Sequence, residues 1–170
     1  NVPIDFIVAN VKDKARMEEI FAEYHPQLVY HAAAYKHVPL MEQFPYEAVL
    51  VNVFGTKTVA DLAVKYKAEK FVMISTDKAV NPTNVMGATK RMAEIYTQSR
   101  HAENTKFITT RFGNVLGSNG SVIPLFKKQL AQGGPLTVTD ENIIRYFMTI
   151  PEACSLVLKA SAMGEDGNIF

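Results

Sequence analysis

The sequence predicts an α/β fold built on a parallel sheet, and three observations carry that prediction. Short apolar runs rich in Val, Ile and Phe recur along the chain, separated by stretches of helical periodicity. One of these runs, Phe71-Val72-Met73-Ile74, leads straight into Ser75-Thr76-Asp77-Lys78. Reactive side chains therefore stand at the carboxyl end of a strand, where open α/β sheets place their ligands. Pro45 and Pro151 stand near two helix starts and Gly164 just past a helix end, the asymmetry that helix termini favour.

The elements follow in order. Residues 5–8 read as a short strand, and Met17, Ile20, Phe21 and Tyr24 form a helical stripe after it. Leu28-Val29-Tyr30-His31 is a second strand, running into Ala32-Ala33-Ala34-Tyr35-Lys36-His37. A long helix then extends from Pro45 to about Lys67, apolar on most faces and so deeply packed. After the strand at Phe71, Pro82 and Asn84 mark a loop, and a helix begins near Val85. It carries Met86 and Lys90 four residues apart on one face. Phe107-Ile108-Thr109-Thr110 is a further strand, ending in Arg111-Phe112-Gly113-Asn114-Val115. A helix over about residues 122–132 stops at Gly133-Gly134-Pro135. Residues 136–139 look like a short extra strand, and a last helix precedes a strand that begins at Asn168-Ile169-Phe170.

Composition bounds the reading. A chain of 170 residues, 48 % hydrophobic and 21 % charged, has the length and content for one globular domain with a buried core. Its net charge of +1, with both signs interleaved, offers no face for nucleic acid or an anionic membrane, although a local phosphate site stays open. The lone Cys154 excludes an internal disulfide, suits a reducing compartment and reads as a buried helix residue. No apolar run approaches the roughly 20 residues of a membrane-spanning helix, and no signal-peptide pattern is present. His25, His31, His37 and His101 lack ligand spacing for zinc, so no metal is expected.

A dinucleotide-binding sheet of strand order 3-2-1-4-5-6 opens with a strand, a Gly-x-Gly-x-x-Gly turn and a helix. No such turn occurs near the start. Gly113, Gly117 and Gly120 imitate one, but their late position and the following Ser121-Val122-Ile123-Pro124 fit poorly. The simpler reading makes residues 5–8 the third strand. The expected fold is then a Rossmann-like, doubly wound parallel sheet whose first two strands lie upstream of Asn1. A small substrate-binding part follows near the C-terminus.

These residues resemble an extended short-chain dehydrogenase/reductase, and more narrowly the nucleotide-sugar 4,6-dehydratases of bacterial capsule, O-antigen and glycosylation pathways. The resemblance runs through His31-Ala32-Ala33-Ala34-Tyr35-Lys36-His37-Val38-Pro39, Asn52-Val53-Phe54-Gly55-Thr56 and Ser75-Thr76-Asp77-Lys78. It continues through Arg111-Phe112-Gly113-Asn114-Val115, Gly120-Ser121-Val122-Ile123-Pro124 and Arg145-Tyr146-Phe147-Met148-Thr149. It implies a partial NAD-binding domain over 1–115, a substrate-binding segment over 116–150, and a helix and strand start over 151–170 that return to the core. It also implies NAD as cofactor, a UDP-sugar substrate such as UDP-N-acetylglucosamine, and a homo-oligomer. The implied location is the cytoplasm, with any membrane anchor upstream. Lacking the phosphate-binding turn, the chain by itself is expected to bind NAD weakly and turn nothing over.

Most short-chain dehydrogenases carry Tyr four residues before the helix Lys, which lowers the phenol's pKa for proton exchange with a substrate hydroxyl. Met86 holds that position here, and a thioether has no proton to give. This change resembles the larger, membrane-associated dehydratases; the plainer alternative is that Met86 only packs the helix. By resemblance Thr76 binds the sugar C4 oxygen, Asp77 protonates the leaving hydroxyl, Lys78 is the base at C5, and Lys90 bonds the nicotinamide ribose. An acid and a lysine base in those roles call for a desolvated pocket. Alternatives stand beside each: turn chemistry for Thr76-Asp77-Lys78, a solvated surface for Lys90, a satisfied helix-interior amide for Asn52.

Asn10 and Val11 occupy the place where relatives usually have Asp-Val beside the adenine. Ala32, Ala33 and Ala34 are small where backbone approaches the cofactor, or are simply packed. Ser75 joins this cofactor-binding group. Asn114 and Arg145 are candidates for the diphosphate, and His37 for the sugar pocket. Arg145 has the alternative of an ion pair with Asp140 or Glu141. Two other functions compete: a nucleotide-sugar C4 epimerase, which needs the missing Tyr and has no use for Asp77-Lys78, and a non-catalytic module that binds a dinucleotide or a partner protein.

Overall fold

In the computed structural model of the chain, residues 2–100, 104–118, 122–138 and 140–170 are described. The centre is a three-stranded parallel sheet of β1 (Leu28–His31), β2 (Lys70–Thr76) and β3 (Lys106–Phe112), side by side in chain order. The register sets Val29 against Phe71 and Phe71 against Phe107. Ile169 bridges Thr109 in parallel, so the chain's end begins another strand beyond β3. Each parallel crossover carries a helix. Alternation along the strands divides the side chains between two faces. Phe71, Met73 and Phe107 pack with Phe21, Val59, Leu62, Ala63 and Ala93 on one face. On the other, Tyr30 Oη donates to Ser161 Oγ at 3.0 Å, and Ile108 meets Gly164 at the end of the last helix.

Helix α1 (Lys14–Tyr24) starts where the Asp13 carboxylate accepts from the Arg16 amide at 3.0 Å, and it buries Phe21. A short α2 (Val38–Gln43), absent from the sequence reading, ends at Phe44, whose backbone is not helical; α3 (Pro45–Ala48) then runs without a break into a π-helical stretch over Val49–Gly55 and α4 (Thr56–Lys65). The long helix from Pro45 is therefore real, but its middle is wound wide. Thr56 Oγ1 donates to the Asn52 carbonyl at 2.7 Å, supplying a partner where π winding alters the backbone pattern. Helix α5 (Val85–Gln98) is capped by Asn84, whose side chain accepts from the Gly87 amide at 2.8 Å.

The last third holds the two-residue parallel pair β4 (Asn114–Val115) and β5 (Phe147–Met148), with α6 (Val122–Ala131) between them. Helix α7 (Ile150–Met163) opens with a capping box between Thr149 and Glu152.

Three expectations are corrected. Residues 5–8 form no strand: Phe6 and Val8 are 92 % and 98 % exposed, and no neighbouring backbone offers them a ladder. Residues 136–138 are also without strand structure; Thr139, like Gly120, Ser121 and His101, lies outside the described residues. Cys154 is exposed, because α7 buries only Ala160 and Ser161 and turns its first half toward a cavity.

Candidate active site

Strand β2 ends at Thr76 and the chain turns through one 3-10 turn, Asp77–Ala79, before entering α5. The turn is pressed against the helix: a Cβ on Gly87 would overlap the Lys78 carbonyl oxygen and lie 3.2 Å from its carbon. Glycine is needed there by space alone. Glu42, from α2, adds a second clamp by accepting from the Val85 amide at 2.7 Å. These contacts set the Ser75-to-Lys78 stretch and the Met86/Lys90 face of α5 around one space.

That space is a cavity of about 1150 Å³. Ser75, Thr76, Lys78, Met86 and Lys90 line it, together with Ala32, Ala34, His37, Asn114 and Arg145. Lys36, Val38 and Phe147, which stood in quoted motifs without an assigned role, and Phe126, which stood in none, also line it, since ordinary loop and helix residues carry no local signal of a shared cavity. The remaining sequence candidates lie elsewhere. Asn10 Oδ1 accepts from the Lys12 amide at 3.0 Å, and Val11 packs against Gly55, so neither faces the cavity. Ala33 and Asp77 are not among the lining residues. Asn52 is wholly buried: it accepts from the Tyr35 amide at 2.8 Å and donates to the Tyr35 carbonyl and Thr89 Oγ1, each at 3.0 Å. It fastens the cavity's rim loop to α5, which is the satisfied-amide alternative.

Lys90 is buried at 4 % exposure, which excludes the solvated-surface alternative. Its Nζ donates to the Ile74 carbonyl at 2.7 Å. Burial pushes its pKa down to about 8, opposed by the charge of Glu94. One turn on from Lys90, Glu94 accepts from Arg111 Nε at 3.0 Å and Nη2 at 2.7 Å, and from Arg91 Nη1 at 3.0 Å. Burial alone would raise the Glu94 carboxyl; Arg111, Ser75 and Arg91 outweigh it and hold it below the usual range. This group escaped the sequence reading although Arg111 stood in a quoted motif and Glu94 at helical spacing from Lys90.

Asp77 and Lys78 depart from the desolvated pocket expected of them. Their side chains are 54 % and 29 % exposed, and Lys78 Nζ donates to Asp77 Oδ1 at 3.0 Å. Thr76 Oγ1 donates to the same oxygen at 2.9 Å. Partial burial raises Asp77, but the bonds from Lys78 and Thr76 prevail and lower it. The carboxylate is ionised because its cationic neighbour is adjacent in sequence and held by the turn. Met86 is buried at 4 % with Met41 and Ala48, so it both packs α5 and forms cavity wall. Arg145 makes no ion pair with Asp140 or Glu141. Asp140 and Arg145 both line the cavity.

His31, at the end of β1, is buried; its Nε2 lies 2.8 Å from Thr56 Oγ1. That hydroxyl spends its proton on the Asn52 carbonyl, so it accepts from His31, whose Nε2 carries hydrogen. Burial, reinforced by Lys90, drives the imidazole pKa down to about 3 and keeps it neutral.

The geometry suits a nicotinamide dinucleotide at one point that can be tested on the donor set. The Lys90 ammonium spends one proton on Ile74 and keeps two for acceptors such as paired ribose hydroxyls. Ala32 and Ala34 line the same cavity with side chains of a single methyl.

A family profile described as "Polysaccharide biosynthesis protein" matches residues 1–170. The chain is 58 % identical over 166 residues to the capsular polysaccharide biosynthesis protein CapD of Staphylococcus aureus, covering 96 % of this chain and 28 % of that protein. It is 40 % identical over 174 residues to the UDP-glucose 4-epimerase of Rickettsia canadensis, covering 100 % of this chain and half, 50 %, of the epimerase. Among solved structures, Pen from Bacillus thuringiensis superposes with a TM-score of 0.89 at 37 % identity, over 98 % of this chain and 54 % of Pen. The chain therefore spans between about a quarter and half of the proteins it matches.

Proposed function

Because the chain belongs to the polysaccharide biosynthesis protein family, we propose that it forms the reaction centre of an NAD-dependent nucleotide-sugar 4,6-dehydratase. Its proposed substrate is a UDP-amino sugar such as UDP-N-acetylglucosamine. The observation that carries the reading is the Lys78/Asp77 contact of 3.0 Å at the edge of the cavity. An ammonium–carboxylate pair becomes an amine and a carboxylic acid when one proton crosses between them. Elimination of water from adjacent carbons needs both products of that transfer: a base for C5–H and an acid for the C6 hydroxyl.

NAD, when bound, supplies the hydride exchange at C4 and C6. The elimination of water between those two exchanges falls to the chain's own residues. Thr76 Oγ1, in the cavity wall, turns its one proton from Asp77 to the sugar C4 oxygen once Asp77 is protonated, and stabilises charge there. With a carbonyl at C4 the C5 proton is acidic; Lys78 Nζ takes it, Asp77 gives its proton to the C6 oxygen, and water leaves. Substrate in the cavity excludes solvent from the pair, and desolvation favours its neutral form. Lys90 bonds the nicotinamide ribose. Arg145, which makes no ion pair among the described residues, and Asn114 take the diphosphate.

The second reading, a C4 epimerase, draws on the 40 % identity to the Rickettsia canadensis enzyme. Against it stands Met86, which offers no proton where an epimerase of this fold uses a phenol.

The test uses the full-length protein with UDP-N-acetylglucosamine and NAD⁺ in heavy water, read by mass spectrometry of the sugar nucleotide. Loss of one water with deuterium gained at carbon is expected, and abolished by Asp77→Asn or Lys78→Met. Unchanged mass with a new sugar composition would replace this reading by the epimerase.

A further inference from the structure

We propose that Glu94 is a positioning residue for Lys90: buried one helical turn further along α5 and clamped by Arg111 and Arg91 behind the cavity, its carboxylate holds the neighbouring ammonium in place. The proposal concerns the side chain that the functional reading assigns to the cofactor ribose, and in that sense rests on it. Lys90 and Glu94 are one helical turn apart on α5 and both buried, at 4 % and 0 % exposure. Lys90 has a carbonyl partner, Ile74, at 2.7 Å, and no bonded carboxylate among the described residues. Its charge therefore depends on what faces it without touching.

From β1 comes His31, neutral and unable to help. From β2 comes Ser75, uncharged, and from the wide-wound stretch Asn52, also uncharged. The turn after β2 brings Lys78 with its partner Asp77, a pair without net charge. From α5 come Glu94 and, bonded to it, Arg91; from β3 comes Arg111, whose guanidinium grips Glu94 through two nitrogens. Among the groups described, Glu94 is the carboxylate whose field raises the Lys90 pKa against burial.

Rigidity is the second half of the argument. A bidentate guanidinium fixes both position and plane of the carboxylate. That carboxylate shares a helix with Lys90, while Arg111 sits on β3 opposite Ser75, one residue past Ile74 on β2. The Lys90-to-Ile74 hydrogen bond and the Glu94-to-Arg111 pair thus join α5 to two adjacent strands at the same level. A pair that merely tied α5 to β3 would leave the Lys90 titration unmoved by charge-neutral substitution.

The experiment follows Lys90 by NMR of lysine ε-carbons in the full-length protein, its signal identified by loss in Lys90→Arg. Glu94→Gln keeps the shape and removes the charge; the Lys90 midpoint falls by about one pH unit or more. Arg91→Gln, at a residue 39 % exposed and so tolerant of change, leaves Glu94 less compensated and moves the midpoint upward. Opposite signs cannot come from loosened packing. Unmoved midpoints, or shifts of the same sign in both variants, would overturn the proposal. NAD affinity, measured separately by calorimetry, should match wild type at pH 6 in Glu94→Gln and fall about fivefold near pH 8. A wild-type protein whose Lys90 responds as expected yet binds no NAD would support the positioning role and remove the cofactor assignment alone.

Discussion

Replacing Gly87 by Ala tests whether the reactive turn is held by α5. The added methyl would overlap the Lys78 carbonyl oxygen, stand 3.2 Å from its carbon and 3.3 Å from Asn84 Oδ1. Two of the three obstacles are backbone, so a side-chain rotation cannot relieve them. Overpacking of this kind costs about 2 kcal/mol. Alanine returns about 1 kcal/mol through helix propensity. The net loss of about 1 kcal/mol lowers the melting temperature by only about 3 °C in a domain of this size. Activity should suffer far more, because the relieving movement displaces Lys78 and Asp77 together. A shift near 1 Å at reacting groups costs about 100-fold. Melting by calorimetry and turnover by mass spectrometry, both on the full-length protein, separate the two effects. Turnover within threefold of wild type would refute the view that contact with α5 sets the turn.

Further predictions follow from other buried contacts. His31 is held neutral with its pKa near 3 against 6.5 unfolded. Its contribution is complete above pH 6.5 and is lost as pH falls toward 3, on the order of 5 kcal/mol in all. His31→Gln, which keeps a donor for Thr56, should flatten that part of the urea-denaturation profile, and parallel profiles would count against it. Asn52→Ala strands both polar groups of the Tyr35 backbone and should cost about 3 kcal/mol in urea unfolding; a loss below about 1 kcal/mol would show that the rim loop is held otherwise. Met86→Leu conserves volume and apolarity and should cost under about 1.5 kcal/mol with turnover nearly kept. A collapse of turnover as deep as that of Asp77→Asn would mean the thioether itself takes part.

Much of the fold was legible because periodicity reports burial locally. The strands containing 28–31, 71–74 and 107–110 show as short apolar runs, and Pro45 and Pro151 mark the starts of their helices. The strand assigned to residues 5–8 failed for the complementary reason. A short apolar run such as Phe6-Ile7-Val8 states a preference for an extended chain, but a strand exists only where another backbone supplies the ladder. Cys154 was misplaced in the same way: helical spacing defines a stripe without saying which neighbour covers it.

The sequence by itself determined the reactive vocabulary. Thr76, Asp77 and Lys78 at a strand's end, and Met86 with Lys90 one turn apart, are consequences of spacing along single elements. Only the tertiary structure decided their electrical state. Lys90 is buried beside Glu94, which two arginines from different elements grip, whereas Asp77 stays ionised beside an exposed Lys78. Protonation depends on burial and on charges distant in the chain, and neither is written in local order.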